Sequence, residues 1–464
     1  GVSYQVSSGN DADLDLLDYM AFMVEDPGTR VVLALAERIK DGARLRALAE
    51  RAAELEKPIA LIKFGRTEAG AKAAASHTGA VTGADAVFDA AARQHGLVRV
   101  NDAAELYEVA MLLRQRARPR GNRAASLAIS GGNLVLFTDL AASQGVTFPP
   151  FAAETAARLR TLIPGFAAVN NPADLRAGAI GARDLFATAA RALLEDPSVD
   201  AAVPLITVAP AADIRAVAAM AKAADKPVAL LWTGYCSDEP SLTPQALVAE
   251  GHAVYRDALP CAQALARSMR WAEFLRRRAA EPTPRRPAGI DPAKARGLLE
   301  QAAGTLSEGA SRQVLACYGL RGPGEALVAT PEEAASAAAR LGGTVALKIQ
   351  SPDILHKTEA GVIRLGVRGE AVASAAREIL EAAKAHTPDA RIEGVLVQEM
   401  VMGGREMLLG MARDATFGPV LTLGFGGIHV EVLRDVTFRL PPVSPAEAHD
   451  MLEELRLAPL LRGV

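Results

Sequence analysis

"TRVVLALAERIKDGARLRALAERAAELEKPIALIKFG", residues 29–65, is the stretch that decides the fold. Its ends, "TRVVLALAE" (29–37) and "KPIALIKFG" (57–65), are near-continuous apolar runs, as strands buried on both faces require. The nineteen residues between them carry apolar side chains at helical spacing with charges on the other face. Strand, helix and strand in that order predict a βαβ unit with parallel strands.

The same pattern continues outward. "GLVRV" (96–100) reads as a further strand, followed by the helix "DAAELYEVAMLLRQRA". After "ARPRGNR" (117–123) the pattern restarts. "AASLAIS" (124–130) is a strand, "GGN" a tight turn and "LVLFTDLAASQG" a helix, and "DAAVPLITVAP" (200–210) and "KPVALLWTG" (226–234) are later strands. The helix "ALARSMRWAEFLRRRAA" closes this second region. The Pro- and Arg-rich stretch "EPTPRRPAGIDP" (281–292) is the clearest boundary. Beyond it, "GTVALKIQ", "GVLVQEM", "EMLLGMA", "GPVLTLGFGG" and "HVEVLRDVTFRL" come closely enough to predict antiparallel pairing. The expected layout is two open parallel-sheet domains, 1–116 and 123–280, a linker at 281–292, and one α+β domain at 293–464.

A chain of 464 residues suits roughly three domains of about 150 residues each. Its net charge of −3 and 4% aromatic content argue against nucleic acid or an anionic membrane as partner. No apolar run reaches the ~20 residues of a membrane span. Cys236, Cys261 and Cys317 form no CxxC pair, so they are expected to be reduced, in a cytoplasmic protein.

Only seven histidines occur, and one, His77, stands among small residues in "AAASHTGAVTGAD" (73–85). A packed core would surround an imidazole with bulk, and a helix would avoid such glycines. A loop that lets the ring approach different partners has this composition. Neutral imidazole is a nucleophile toward phosphorus. Glu37, at the carboxyl end of the strand 29–37, is positioned to orient it. An exposed loop histidine is the competing reading.

The turn Ser130, Gly131, Gly132 and Asn133 follows a strand and opens a helix, where backbone N–H groups can face an anion. Many such turns bind nothing. In "ALKIQSPDILHKTEAG", Lys348 stands on a strand where it can neutralise nucleotide phosphates, with His356 and Lys357 in the loop after it. "VQEMV" (397–401), with Glu399, suits a strand and hinge holding a base. Glu431 and Asp435 follow a glycine-rich turn at even spacing, which predicts one strand face and a magnesium–nucleotide site. A solvated sheet face is the alternative.

Three stretches, "SSGNDADLDLLDYMAFMVEDPGTRVV", "KPIALIKFGRTEAGAKAAASHTGAVTGAD" and "SPDILHKTEAGVIRLGV", resemble the NDP-forming acyl-CoA synthetases. This is the ADP-forming acetate–CoA ligase family, related to succinyl-CoA synthetase. "FGPVLTLGFGGIHVEVLRDVTFRLPP" is similar to the family's ATP-grasp domain. The resemblance implies two flavodoxin-like parallel-sheet domains followed by an α+β ATP-grasp domain. It also implies a reaction in which ATP, a small carboxylic acid and CoA give acyl-CoA, ADP and phosphate, through an acyl phosphate and a phosphohistidine.

Under that resemblance His77 is the phosphorylated histidine and Glu37 its orienting carboxylate. Residues 130–133 then hold the phosphohistidine and His356 relays phosphate. Lys348, Lys357 and Glu399 serve the nucleotide, with Mg²⁺ near Glu431 and Asp435. A homo-oligomer is expected. Family members begin with a CoA-binding domain and end beyond an "NPL" region, so the chain is expected to be a fragment that is inactive alone. "EAGV" replaces the usual double glycine after the SPD motif. A regulator or protein lysine acetyltransferase on this scaffold is the alternative. Such members commonly lack the phosphorylated histidine, and here His77 stands with Glu37 and His356.

Overall fold

The computed structural model describes residues 1–70, 72, 85–162, 169–176, 184–280, 287–302, 304–354, 360–427 and 435–463. Among the site candidates, His77, His356, Lys357 and Glu431 lie outside the described residues.

The stretch 29–65 folds as its pattern requires. β1 (Val32–Ala36) and β2 (Ile59–Lys63) pair in parallel, Val32 beside Ile59 and Ala36 beside Lys63, with the helix Gly42–Glu54 between them. Asp41 starts that helix by accepting the N–H groups of Ala43 and Arg44. β3 (Val98–Arg99) joins β2 in parallel and completes a three-stranded sheet. One face packs on the helices Leu16–Glu25, Gly42–Glu54 and Asp85–Gln94 through Met20, Val24, Leu45, Leu48 and Phe88. The opposite face, through Ala60, Ile62 and Val98, shares a core with the helix Ala103–Leu113 and with the next sheet.

That next sheet is parallel, in the order β5-β4-β6-β7-β8: β4 (Ala124–Ala128), β5 (Ala173–Asp174), β6 (Ala201–Ala209), β7 (Leu230–Cys236) and β8 (Val254–Tyr255). Its strands alternate between two apolar cores. Leu127, Ile206 and Trp232 face one, and Ala128, Leu205 and Leu231 face the other. The helix Gly131–Ser143, which follows β4, buries Leu134 and Phe137 in the core on the second face. The helix Ala211–Ala223, which follows β6, buries Ile214 and Val217 on the first. The carboxyl ends of β4 and β6 therefore flank a topological switch point, the place where open α/β sheets bind ligands.

Residues 284–406 form a separate compact unit. It holds an antiparallel sheet in the order β11-β10-β12-β9: β9 (Glu325–Val328), β10 (Thr344–Gln350), β11 (Ile363–Arg368) and β12 (Gly394–Glu399). Val345, Leu347, Ile349, Val395 and Val397 bury one face against the helices Pro331–Arg340 and Ala371–His386. Period-two alternation leaves Lys348, Gln350, Leu396 and Gln398 for the other face.

A second antiparallel sheet is made of β13 (Met407–Asp414), β14 (Gly418–Phe425) and β15 (Val436–Arg439). It packs with residues 1–283 rather than with 284–406. The Gly42 N–H donates to the Thr416 carbonyl at 3.1 Å, and the Gln94 side chain exchanges two 2.8 Å hydrogen bonds with the Leu440 backbone. Packing units and the sequence boundary at 293 thus divide the chain differently. Among the described residues no helix is long and apolar enough to cross a membrane.

Candidate functional site

Glu37 follows the last residue of β1 and is exposed at the carboxyl end of the first sheet. Beside it, the Phe64 N–H donates to the Ala36 carbonyl at 2.9 Å, so β2 ends at the same edge. After residues 64–70 the next described element is the helix Asp85–Gln94. Arg99 anchors that helix. Its guanidinium meets Asp85 at 2.5 Å and Asp89 at 3.1 Å.

Ser130–Asn133 stands at the switch point of the second sheet. Ser130 is the N-cap of Gly131–Ser143, but its side chain makes no capping hydrogen bond. The first N–H groups of a helix have no acceptor within it. Among the described residues this end is therefore an uncapped, partly positive terminus. Asn133 Nδ2 donates to Thr233 Oγ1 on β7 at 3.1 Å, which ties the first turn to the sheet. A Cβ on Gly132 would find no atom of the described residues within 4 Å. A Cβ on Gly131 would come to 2.8 Å from Asp174 Oδ2. Sequence reading missed Asp174, because only the β4–β5 register, Ala128 beside Asp174, brings it there.

In the unit 284–406, Lys348 Nζ donates to Glu308 Oε1 at 2.9 Å and to Gln398 Oε1 at 3.0 Å. Gln398 Nε2 passes on to Glu325 Oε2 at 3.2 Å, and Arg312 pairs with Glu325. A cavity of about 920 Å³ lies beside this chain, lined by Ser307, Arg312, Glu325, Leu327, Gln350 and Leu396 among others. Gln350 is buried. Its Nε2 donates to Ser307 Oγ at 2.7 Å, while its Oε1 has no partner among the described residues. Such an orphan acceptor is costly unless a ligand or water satisfies it. The local sequence offered no sign of Gln350. Glu399 Oε2 accepts the Gly324 N–H at 3.1 Å, so this carboxylate ties two strand ends together.

Asp435 differs from expectation. It precedes β15 rather than lying on it, and it is buried. Both of its oxygens accept backbone N–H groups, from Arg456 and from Leu457, each at 2.9 Å. A carboxylate so engaged anchors the start of the helix Ala458–Leu461. Among the described residues no group of three His, Cys, Asp or Glu could hold a metal ion. The three cysteines are free and buried.

Residues 297–464 match the ATP-grasp domain family, and residues 1–113 match the succinyl-CoA ligase like flavodoxin domain. The acetate–CoA ligase (ADP-forming) I of Archaeoglobus fulgidus is 33% identical over 468 residues, covering 100% of this chain and 67% of the relative. The 4-hydroxybutyrate–CoA ligase (ADP-forming) of Nitrosopumilus maritimus is 31% identical over 479 residues, with the same two coverages. Among solved structures, the dinucleotide forming acetyl-coenzyme A synthetase 1 of Ca. Korarchaeum cryptofilum, in complex with phosphate and ADP, is 28% identical. It superposes with a TM-score of 0.53 over 60% of this chain and 61% of that one. This chain spans about two thirds of the length of the two curated relatives. With flavodoxin-like parallel sheets, an ATP-grasp region and end-to-end similarity to acid–thiol ligases, the chain belongs to the ADP-forming acyl-CoA ligase family.

Proposed function

We propose that the whole protein converts a small carboxylic acid, CoA and ATP into acyl-CoA, ADP and phosphate, and that His77 carries the phosphoryl group between two sites. The nucleotide site is assigned to Lys348 and the cavity beside it in residues 284–406. Lys348 there exchanges Glu308 for a phosphate oxygen. The acyl site is assigned to the turn Ser130–Asn133, whose uncapped N–H groups receive the phosphoryl group. Phosphoryl transfer asks chiefly for in-line placement and neutralised charge, which an ammonium and a helix end supply.

At the acyl site the carboxylate oxygen attacks phosphorus on His77, the N–P bond breaks, and an acyl phosphate forms. The CoA thiolate then attacks the carbonyl carbon and phosphate leaves. Glu37 orients the imidazole, and His356 with Lys357 assists transfer at the nucleotide. Mg²⁺ is the expected companion of the nucleotide phosphates. No step is assigned to it, because Asp435 holds two backbone N–H groups with its oxygens and Glu431 lies outside the described residues.

The observation that carries this reading is the division of anion-binding features between two compact units, one with a strand lysine and one with an uncapped helix end. A reaction with a covalent carrier needs such a pair. The test is a screen of carboxylic acids for CoA-dependent ADP release by the full-length protein, alongside His77→Ala. The expected result is turnover with an acid-labile phosphoenzyme in the wild type and neither in the variant. Undiminished turnover of His77→Ala removes the carrier from the mechanism.

A further inference from the structure

We propose, on the reading of Lys348 as a ligand of nucleotide phosphates, that Glu308 is a built-in competitor for its ammonium and limits how tightly ADP is held. Lys348 and Gln350 lie two residues apart on β10, on the face opposite the core of Val345, Leu347 and Ile349. Both reach the start of one helix, Glu308–Ala316. Lys348 Nζ donates to Glu308 Oε1 at 2.9 Å, and Gln350 Nε2 donates at 2.7 Å to Oγ of Ser307, the N-cap. The helix start is thus latched to the strand twice, once by an ion pair and once by a neutral hydrogen bond.

Three features make the ion pair the latch that opens. An ammonium has three N–H donors, and the described residues take two of them, Glu308 and, at 3.0 Å, Gln398 Oε1. A phosphate oxygen can therefore arrive on the third before the carboxylate departs. The side chains of Lys348 and Glu308 stay 20% and 30% exposed, so water screens their attraction and parting them costs little. Glu308 also occupies the first turn of its helix, whose positive end favours a carboxylate whether or not Lys348 holds it. Meanwhile the bond between Ser307 and Gln350 keeps the helix seated. A ligase must release its nucleotide at each turnover, and a lysine with no competing carboxylate would hold the phosphates longer.

The test titrates ADP by calorimetry into the full-length protein, its Glu308→Gln, Glu308→Ala and Lys348→Met variants, and the double variant Glu308→Gln with Lys348→Met. Thermal melts confirm folding. Gln keeps the shape and an acceptor at the helix start, and Ala removes the group altogether. Both Glu308 variants are expected to bind ADP about fivefold more tightly than wild type, because no ion pair has to open. Lys348→Met should weaken binding by about tenfold or more. In that background Glu308→Gln should change the affinity by less than about twofold. This coupling separates competition for the ammonium from a structural role and from general repulsion of ADP by Glu308. If Lys348→Met weakens binding while both Glu308 variants bind ADP no more tightly than wild type, the competitor role is overturned and the nucleotide site stands. The same follows if Glu308→Gln tightens binding equally without Lys348. If Lys348→Met binds ADP as wild type does, the reading of Lys348 falls and this proposal with it.

Discussion

His95, a largely enclosed histidine outside the site, shows how environment decides chemistry. Its Nε2 has no partner among the described residues, and burial lowers its pKa to about 4. Arg46 and Arg278 reinforce that direction, and Glu50 opposes it. The unfolded chain takes up this proton near pH 6.5 and the folded chain only near pH 4. Acid therefore stabilises the unfolded state across that window. Stability is expected to fall as pH drops from about 6.5 to about 4, by at most roughly 3 kcal/mol from this residue. His95→Leu should flatten that limb in urea unfolding measured at several pH values, and an unchanged limb would show that other groups govern it. The same lesson explains Asp435. Even spacing predicted a face, but spacing cannot say which backbone N–H groups, twenty-one and twenty-two residues onward, take its oxygens.

Elements were legible where their cause is local. The apolar runs of β1, β2, β6 and β7 announce strands covered on both faces, and antiparallel pairing of the later strands followed from their close succession. The helix Gly131–Ser143 begins three residues earlier than its apolar pattern suggests, because two glycines read as a turn. The irregularity between β6 and β7 was not legible at all. Register shifts between Ile206 and Val208, and a Cβ on Gly234 would lie only 1.7 Å from the Thr207 carbonyl oxygen. No rotamer change relieves a clash with backbone, so one strand must move. Gly234→Ala is expected to destabilise the second sheet by about 3 kcal/mol or more. A lowered melting temperature with loss of the Asn133–Thr233 pairing by NMR is the anticipated outcome, while wild-type melting would mean that the bulge adapts.

At the scale of the molecule, local pattern says little about which parts pack together. The docking of residues 407–464 rests on Gly42 against Thr416, Gln94 against Leu440 and a small core of Val87, Ala91, Val420 and Leu440. These partners are hundreds of residues apart, and no periodicity records them. The proposed carrier mechanism makes this organisation testable, because the nucleotide and acyl features fall in different compact units. Each half-reaction should then fail separately. On that proposal, His77 of the full-length enzyme should take label from [γ-³²P]ATP and from acyl-CoA with labelled phosphate. Lys348→Ala removes the ammonium that replaces Glu308 by phosphate, so labelling from ATP should fall by about 10²-fold. Labelling from acyl-CoA and phosphate should stay within about twofold, as expected of independent sites. Gly131→Val drives a side chain into Asp174 and disturbs the helix start, so it should give the mirror image. His77→Ala should abolish both. If either single-site variant depresses the two routes equally, phosphate is not passing between separate sites, and one composite site would have to perform both steps.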